Sequence, residues 1–325
     1  MKKSLLALAA LTAFTGAVSA QSNVTLYGRV DLSFAERLGQ ESQNIENGSG
    51  SRLGLRGSED LGGGLAAVFN IEHRFNADTG VSQGGTNVAG QAVGTSLRFW
   101  SARSIVGLKG GWGQVVLGRE YTTAFLGSQL INDPWGWDTV VADVTAGLTG
   151  GGISQVRNDS SITYNLNMAG FSFGAQYAEA TDAINNFQDN PYNFSVGYAG
   201  GPFSVNLGYE VTGYSNTADE KVMSIGGAFN FGAFKLGGTY VDGTTRNNAD
   251  VTSYMITGTA VLGQGEIRAM WGERETGDVK DISAFGIGYH YALSKRTTIY
   301  ADYVNNSKVT SGNENAYDFG IKHNF

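Results

Sequence analysis

The chain has 325 residues, a formal charge of −7 and 41% hydrophobic residues, and it contains no cysteine. The lack of cysteine excludes a disulfide framework and thiolate chemistry, and the acidic balance argues against a nucleic-acid partner, which would need a basic face. Glycine is frequent, with 48 residues, whereas there are only 3 prolines. Few prolines suit continuous sheet ladders, because these use every backbone N–H.

The first twenty residues have the order of a secretory signal peptide. Lys2 and Lys3 precede an apolar stretch, Leu5–Val18, which is followed by the small residues Ser19 and Ala20. This order is specific for export, whereas a short buried helix would not require it. We therefore expect residues 1–20 to be a signal peptide and residues 21–325 to form a single domain. Without Lys2 and Lys3 the charge becomes −9, since 20 basic residues then face 29 acidic ones.

Residues 51–76 show the pattern that recurs along the chain. Leu53 and Leu55 alternate with Arg52, Gly54 and Arg56, and a glycine turn leads into a second alternating run. Successive side chains of a strand point to opposite faces. The segment is therefore predicted to be a hairpin with one apolar and one polar face. Such a hairpin fits either a soluble sandwich or a membrane barrel whose polar face lines a lumen.

About sixteen runs of this kind, each of roughly ten residues, follow one another to the end of the chain. Very short turns alternate with long polar connections, which are predicted at residues 37–50, 77–97, 120–156, 181–190, 212–220, 243–250, 274–281 and 305–314. After the signal peptide there is no run of about 18 apolar residues, so a membrane protein of this sequence would have to be a closed barrel. A soluble sandwich of this length would usually split into domains. The predicted fold is a 16-stranded antiparallel transmembrane β-barrel.

The basic residues of several strands have the parity of the polar face. Arg52, Arg103 and Arg157 each lie near the start of a strand that follows a long connection, so they should point into the lumen at similar height. Residues Arg29, Arg74 and Glu72 share this parity. Each charge alone could be an ordinary solvated wall residue, but three arginines on alternate strands indicate a functional cluster.

The connection 120–156 is the longest and carries Asp133, Asp138 and Asp143. A structureless loop of this length is uncommon unless it has a function. We expect it to fold into the barrel and narrow it, with its acids facing the arginines across a constriction; the alternative is a mobile external loop. Charges at the narrowest point bias the choice of ion, and the arginines predict anion preference.

Several stretches resemble the trimeric general porins of Gram-negative outer membranes, most closely their β-proteobacterial branch. They are Val24–Asp31, Ser51–Gly64, Ala102–Arg119 and the ending Phe319–Phe325. The resemblance implies sixteen antiparallel strands, an inward-folded third loop, and passive diffusion of ions and small hydrophilic solutes. It implies that Arg52, Arg103 and Arg157 match the eyelet arginines, that 120–156 is the constriction loop and that Glu72 is a lumen acid.

The resemblance also implies partners. The second loop, 77–97, would reach into a neighbouring subunit of a homotrimer, and Phe325 would match the signal that the outer-membrane assembly machinery reads. Outer-membrane lipid and lipopolysaccharide would surround the barrel. No cofactor is implied.

Other functions remain open at this point. A barrel with a specific site for phosphate, a sugar or an organic acid is one alternative, and a structural adhesin would need longer loops. An outer-membrane hydrolase would need a nucleophile oriented by a base. The three histidines, His73, His290 and His323, lie in alternating strands, and the sequence has no nucleophile-elbow motif.

Overall fold

A computed structural model describes residues 23–83, 99–180, 188–214 and 217–325. The predicted signal peptide, residues 1–20, and residues 84–97 of the predicted second loop lie outside these described residues.

The described chain is built almost entirely of strands of 8 to 14 residues, apart from one of four residues. In chain order they are β1 Asn23–Glu36, β2 Gln43–Glu46, β3 Ser51–Gly62, β4 Leu65–Phe75, β5 Arg103–Gly110, β6 Gly113–Tyr121, β7 Arg157–Met168, β8 Phe171–Ala178, β9 Gln188–Gly200, β10 Phe203–Tyr214, β11 Glu220–Asn230, β12 Phe234–Thr244, β13 Asp250–Leu262, β14 Gly265–Thr276, β15 Val279–Ala292, β16 Thr297–Asn306 and β17 Asn315–Asn324.

The sheet closes on itself. Each long strand pairs antiparallel with its neighbours in sequence, and β1 pairs with both β3 and β17. The short strand β2 lies in the first long connection and pairs only with the end of β1, at Ser33–Glu36. In the described part of the chain, sixteen strands therefore form a closed antiparallel barrel, which confirms the fold predicted from the alternation.

The two faces of the barrel have the reverse of the burial found in a soluble protein. The apolar face points outward, with Val106 and Phe319 each 59% exposed, whereas the polar face is buried, as at Ser224 and Ser253. An apolar surface that covers a whole barrel would be unstable in water. In a membrane the same surface contacts lipid, while the N–H and C=O groups of the strands pair with each other within the closed sheet.

The connections on one rim are tight turns, such as Gly63–Gly64, where both residues have positive φ angles of 62° and 79°. One of the long connections predicted from composition is wrong. β14 continues to Thr276 and β15 begins at Val279, so the connection expected at 274–281 contains two residues. Its polar residues pair across the strand ends instead, because Arg274 forms an ion pair with Asp281 at 2.9 Å.

The connection between β6 and β7, residues 122–156, contains a π-helical turn, Phe125–Gln129, and a helix, α1, Ala142–Gly150. Val144 and Leu148 of α1 are fully buried against Met255, Met270 and Ile282 of the strands, and together they form the main apolar cluster. No helix in the described ranges is long and apolar enough to cross a membrane. The packing of α1 is therefore concentrated on the strands β13–β15 that carry these residues.

Candidate functional site: an arginine-lined cavity

The structure contains a cavity of about 540 Å³ whose lining is rich in charged residues. Among the described residues, six arginines and two carboxylates contribute to its lining, a formal excess of four positive charges. They are Arg29, Arg52, Arg56, Arg74, Arg103 and Arg157, with Glu72 and Asp138. The structure thus brings the arginines that share the polar-face parity into one site.

Strand register explains why these residues meet. Arg29 of β1 is the direct partner of Arg52 in β3, and Arg52 is the direct partner of Arg74 in β4. On the next strand pair, Glu72 lies opposite Arg103 of β5. Directly paired residues have side chains on the same face, about 5 Å apart at Cβ. Three arginines therefore form a continuous row across three strands, although like charges repel each other at this spacing.

Tyr121, at the end of β6, contacts three arginines of the site and fixes their positions. Its hydroxyl oxygen accepts hydrogen bonds from Arg74 Nη2 at 2.8 Å and from Arg157 Nη2 at 2.6 Å. Its ring lies 4.1 Å from the guanidinium carbon of Arg157 and 5.3 Å from that of Arg103. Hydrogen bonds from charged donors and contacts of cations with aromatic faces both stabilise a guanidinium. One tyrosine thus fixes three arginines of the site.

Two carboxylates offset part of the positive charge. Glu72 lies 3.1 Å from Arg74 Nε and 3.9 Å from Arg52 Nη1. Glu120, buried beside Tyr121, contacts Arg103 at 2.7 Å. Since each acid is shared with or held by an arginine of the strand wall, neither projects freely into the cavity.

Of the three loop acids predicted for this site, only Asp138 lies in it, where it contacts Arg29 Nη1 at 3.2 Å. Burial raises the pKa of the Asp138 carboxyl, and the neighbouring charge of Arg29 opposes that shift. Asp138 is therefore the single acid that the loop brings to the arginines.

Asp133 and Asp143 do not face the arginine row, contrary to the prediction. Asp133 accepts hydrogen bonds from the backbone N–H groups of Trp135 and Trp137, at 2.9 and 2.8 Å, and from Thr145 Oγ1 at 2.8 Å. Asp143 forms an ion pair with Arg37 of the first long connection. A buried carboxylate needs hydrogen-bond donors close by, and these two acids find theirs within the long connections. Both acids therefore stabilise the conformation of the loop.

Sequence reasoning missed Tyr121, and the cause is local. Strict alternation from Val116, which is buried, would turn Tyr121 to the outer face. However, the register between β6 and β7 shifts between Gly118 and Glu120, and Gly118 has a φ of +125°. A β-bulge of this kind re-aims the residues that follow it. A glycine at position 118 permits the positive φ angle of this bulge, but the chain has 48 glycines, so one more glycine does not reveal a bulge in the sequence.

The terminal residue, Phe325, lies at the seam of the barrel. Its N–H donates to Gly28 O and its carbonyl accepts from Gly28 N, both at 3.1 Å. Among the described residues no group of three or more His, Asp or Glu residues is placed to hold a metal ion.

A closed barrel with a lipid-compatible exterior and a wetted, charged interior defines the class of transmembrane pore proteins. Comparison with known proteins specifies the class. A family model described as Gram-negative porin matches residues 7–311, and the chain belongs to this family. It is therefore an outer-membrane porin, which acts as a passive channel and not as an enzyme.

Individual relatives agree with this assignment. Outer membrane porin protein 32 of Delftia acidovorans is 32% identical over 332 residues, which are 93% of this chain and 88% of that one. An outer membrane porin protein of Bordetella pertussis is 29% identical, with both chains fully covered.

Solved structures share the fold of this chain. The anion-selective porin from Comamonas acidovorans has a TM-score of 0.73 and 25% identity, and the match covers 94% of this chain and all of that chain. A loop-deletion mutant of OmpT of Vibrio cholerae also has a TM-score of 0.73, at 19% identity, and shows the same fold.

Proposed function

We propose that this porin prefers anions and that the arginine-lined cavity is its selectivity site. The observation that carries the proposal is the charge balance of the cavity: six arginines and two carboxylates line it, and the arginines stay in excess when Glu120, the partner of Arg103, is counted as a third acid. The whole chain is acidic, but the selectivity of a pore depends on the charges at its narrowest part. The solved relative described as anion-selective supports the proposal.

Residues 122–156 are the inward-folded third loop in this proposal, and they narrow the lumen. Trp135 Nε1 donates to Asp302 of β16 at 2.7 Å, and Ser128 Oγ donates to Asn206 of β10 at 3.0 Å. Ser253 Oγ of β13 donates to the carbonyl of Leu148 at 2.8 Å. These strand residues are on the polar face, so the contacts support a loop that lies across it and next to the arginines.

The functional unit in this proposal is a homotrimer in a bilayer of outer-membrane lipid and lipopolysaccharide. The relatives support it, because a solved porin of this fold is described as a trimer form. The role of Phe325 as the signal for the assembly machinery remains a prediction from the family resemblance. The carbonyl and N–H of Phe325 are paired with Gly28 at the seam, while the residue as a whole is 43% exposed, which leaves part of it open to a binding partner.

The test is the reversal potential of single channels in a potassium chloride gradient, for the wild type and for Arg103→Ala. We expect a potential of the sign that indicates chloride preference, reduced in the variant because one positive charge leaves the cavity. Arg246→Ala, which removes an exposed arginine from the connection after β12, is the control and should keep the wild-type value. Potassium preference in the wild type, or no shift in Arg103→Ala, would contradict the proposal.

A further inference from the structure

Most of the loop residues that line the cavity are apolar. The loop contributes Phe125, Leu126, Leu130 and Trp137 to the lining, with Asp138 as its acid. Leu126 is 39% exposed and also lines a second cavity of about 580 Å³, which shares Arg56 and Arg103 with the first. An exposed leucine inside a water-filled channel is costly, since its apolar surface stays in contact with water until something covers it.

The structure of the loop holds this apolar surface in place. Ser128 Oγ contacts Asn206 Oδ1 at 3.0 Å and the carbonyl of Ser224 at 3.1 Å, which fixes one side of the π-helical turn against the barrel wall. Gly127 approaches the wall so closely that a Cβ atom there would lie 2.3 Å from Ser195 Oγ. With Gly127 and Ser128 against the wall, Leu126 is turned to the cavity.

Aromatic packing makes the same surface rigid. The Phe125 ring stacks on Tyr121 with centroids 5.7 Å apart and meets the Trp137 ring edge-on at 4.9 Å. Tyr121 in turn holds Arg74 and Arg157 by hydrogen bonds. Tyr121 therefore fixes the position of the apolar surface relative to these arginines, and the contact between Asp138 and Arg29 adds a second link.

We propose that the constriction favours small organic anions with an apolar body, such as aromatic or branched aliphatic carboxylates. The carboxylate pairs with the arginine row, where planar guanidinium groups suit it, and the body covers Leu126 and its neighbours. A binding site of this kind combines an apolar surface with a few fixed polar groups. The inference rests on the proposed anion preference and adds to it the chemical class of the solute.

The test is the block of chloride current through single channels by two monovalent carboxylates, benzoate and gluconate. Benzoate has an aromatic body and gluconate a hydroxylated one. Covering a ring face against Leu126 removes some tens of Å² of apolar surface from water, so benzoate should block at a concentration about tenfold lower than gluconate.

Two variants separate the contribution of the apolar surface from that of the loop as a whole. Leu126→Asn keeps the number and branching of the side-chain heavy atoms but makes the side chain polar, and should raise the half-blocking concentration of benzoate about fivefold while that of gluconate stays unchanged. Ile131→Asn is the matched control, because Ile131 is 46% exposed on the same loop but lines a cavity without arginines. This variant should be blocked like the wild type.

The reversal potential in potassium chloride is measured alongside and distinguishes the two proposals. An unchanged chloride preference together with equal block by benzoate and gluconate would refute the solute class and leave the anion preference intact. A Leu126→Asn channel with larger currents for every anion by the same factor would also refute it, because the leucine would then act only as an apolar barrier to hydrated ions. Potassium preference in the wild type would refute both proposals.

Discussion

Replacing Arg157 with glutamine removes one positive charge from the cavity without separating an acid from its partner. The Arg157 guanidinium donates to the hydroxyl of Tyr121, whereas Arg103 is paired with the buried Glu120. A change in selectivity in Arg157→Gln can therefore be attributed to the lost charge.

The size of the effect follows from the dimensions of the cavity. A sphere of about 540 Å³ has a radius of about 5 Å, and at this distance one charge contributes about 0.8 kcal/mol to an ion in water. At an ionic strength of about 0.1 M, with a Debye length of about 10 Å, screening reduces this to about 0.5 kcal/mol. An anion loses this stabilisation and a cation gains it, so the anion-to-cation permeability ratio should fall about fivefold.

The assay is the reversal potential of Arg157→Gln in a potassium chloride gradient near this ionic strength, repeated at tenfold higher salt. The shift should shrink at high salt, because the Debye length is then about 3 Å. Arg246→Gln, with the same charge change in an exposed connection, should keep the wild-type ratio. If both variants shift the ratio equally, or if the shift does not depend on salt, local charge in this cavity does not determine selectivity.

Three further tests use contacts of the same region. Tyr121→Phe keeps the ring but removes the oxygen that accepts hydrogen bonds from Arg74 and Arg157. Because each such bond is worth about 1.5–3 kcal/mol, the two arginines should become more mobile, and the single-channel current should become noisier with little change in reversal potential. A wild-type noise spectrum would contradict the role of Tyr121 in holding the arginines in place. Burial raises the pKa of the Asp138 carboxyl, so acidification neutralises Asp138 at a higher pH than an ordinary aspartate and anion preference should rise as the pH falls from 7. Asp138→Asn should show the higher preference already at pH 7 and a smaller dependence on pH; equal pH profiles would refute the assignment. Leu148→Ala opens a cavity between α1 and the wall, where Leu148 is fully buried, and should destabilise the folded protein by about 2–5 kcal/mol, measured as a lower melting temperature by circular dichroism. Leu293→Ala, in an exposed turn, should melt like the wild type.

The barrel could be predicted from the sequence because one simple period encodes it. Lipid on one face and water on the other impose strict alternation on every strand. Parity alone assigns Arg52, Arg74 and Arg103 to the polar face, and all three line the cavity in the structure. Alternation can be read without knowledge of distant parts of the chain. A local pattern was therefore sufficient to predict the fold and the strand face of these three arginines.

The contacts of the connection 122–156 could not be predicted in the same way, because its side chains follow no regular alternation. The sequence does not distinguish Asp133 and Asp143 from Asp138, since all three are aspartates of the same connection. In the structure, backbone N–H groups bind Asp133 and Arg37 binds Asp143. Leu126 would be assigned to a core on hydrophobicity alone, although it is exposed in the cavity. These positions depend on contacts between residues distant in sequence. Parity also fails for Tyr121, because a β-bulge before it changes the face to which it points.

The seam between β1 and β17 has a consequence for biogenesis. β17 consists of the last strand residues of the chain, Asn315–Asn324, and the final residue adds the last pair of backbone bonds to β1. Until this segment has been delivered, every shorter chain has two unpaired strand edges, which promote association with other chains. Closure of the wall is thus expected to be a single late event that waits until β17, the last of the described strands, can pair with β1.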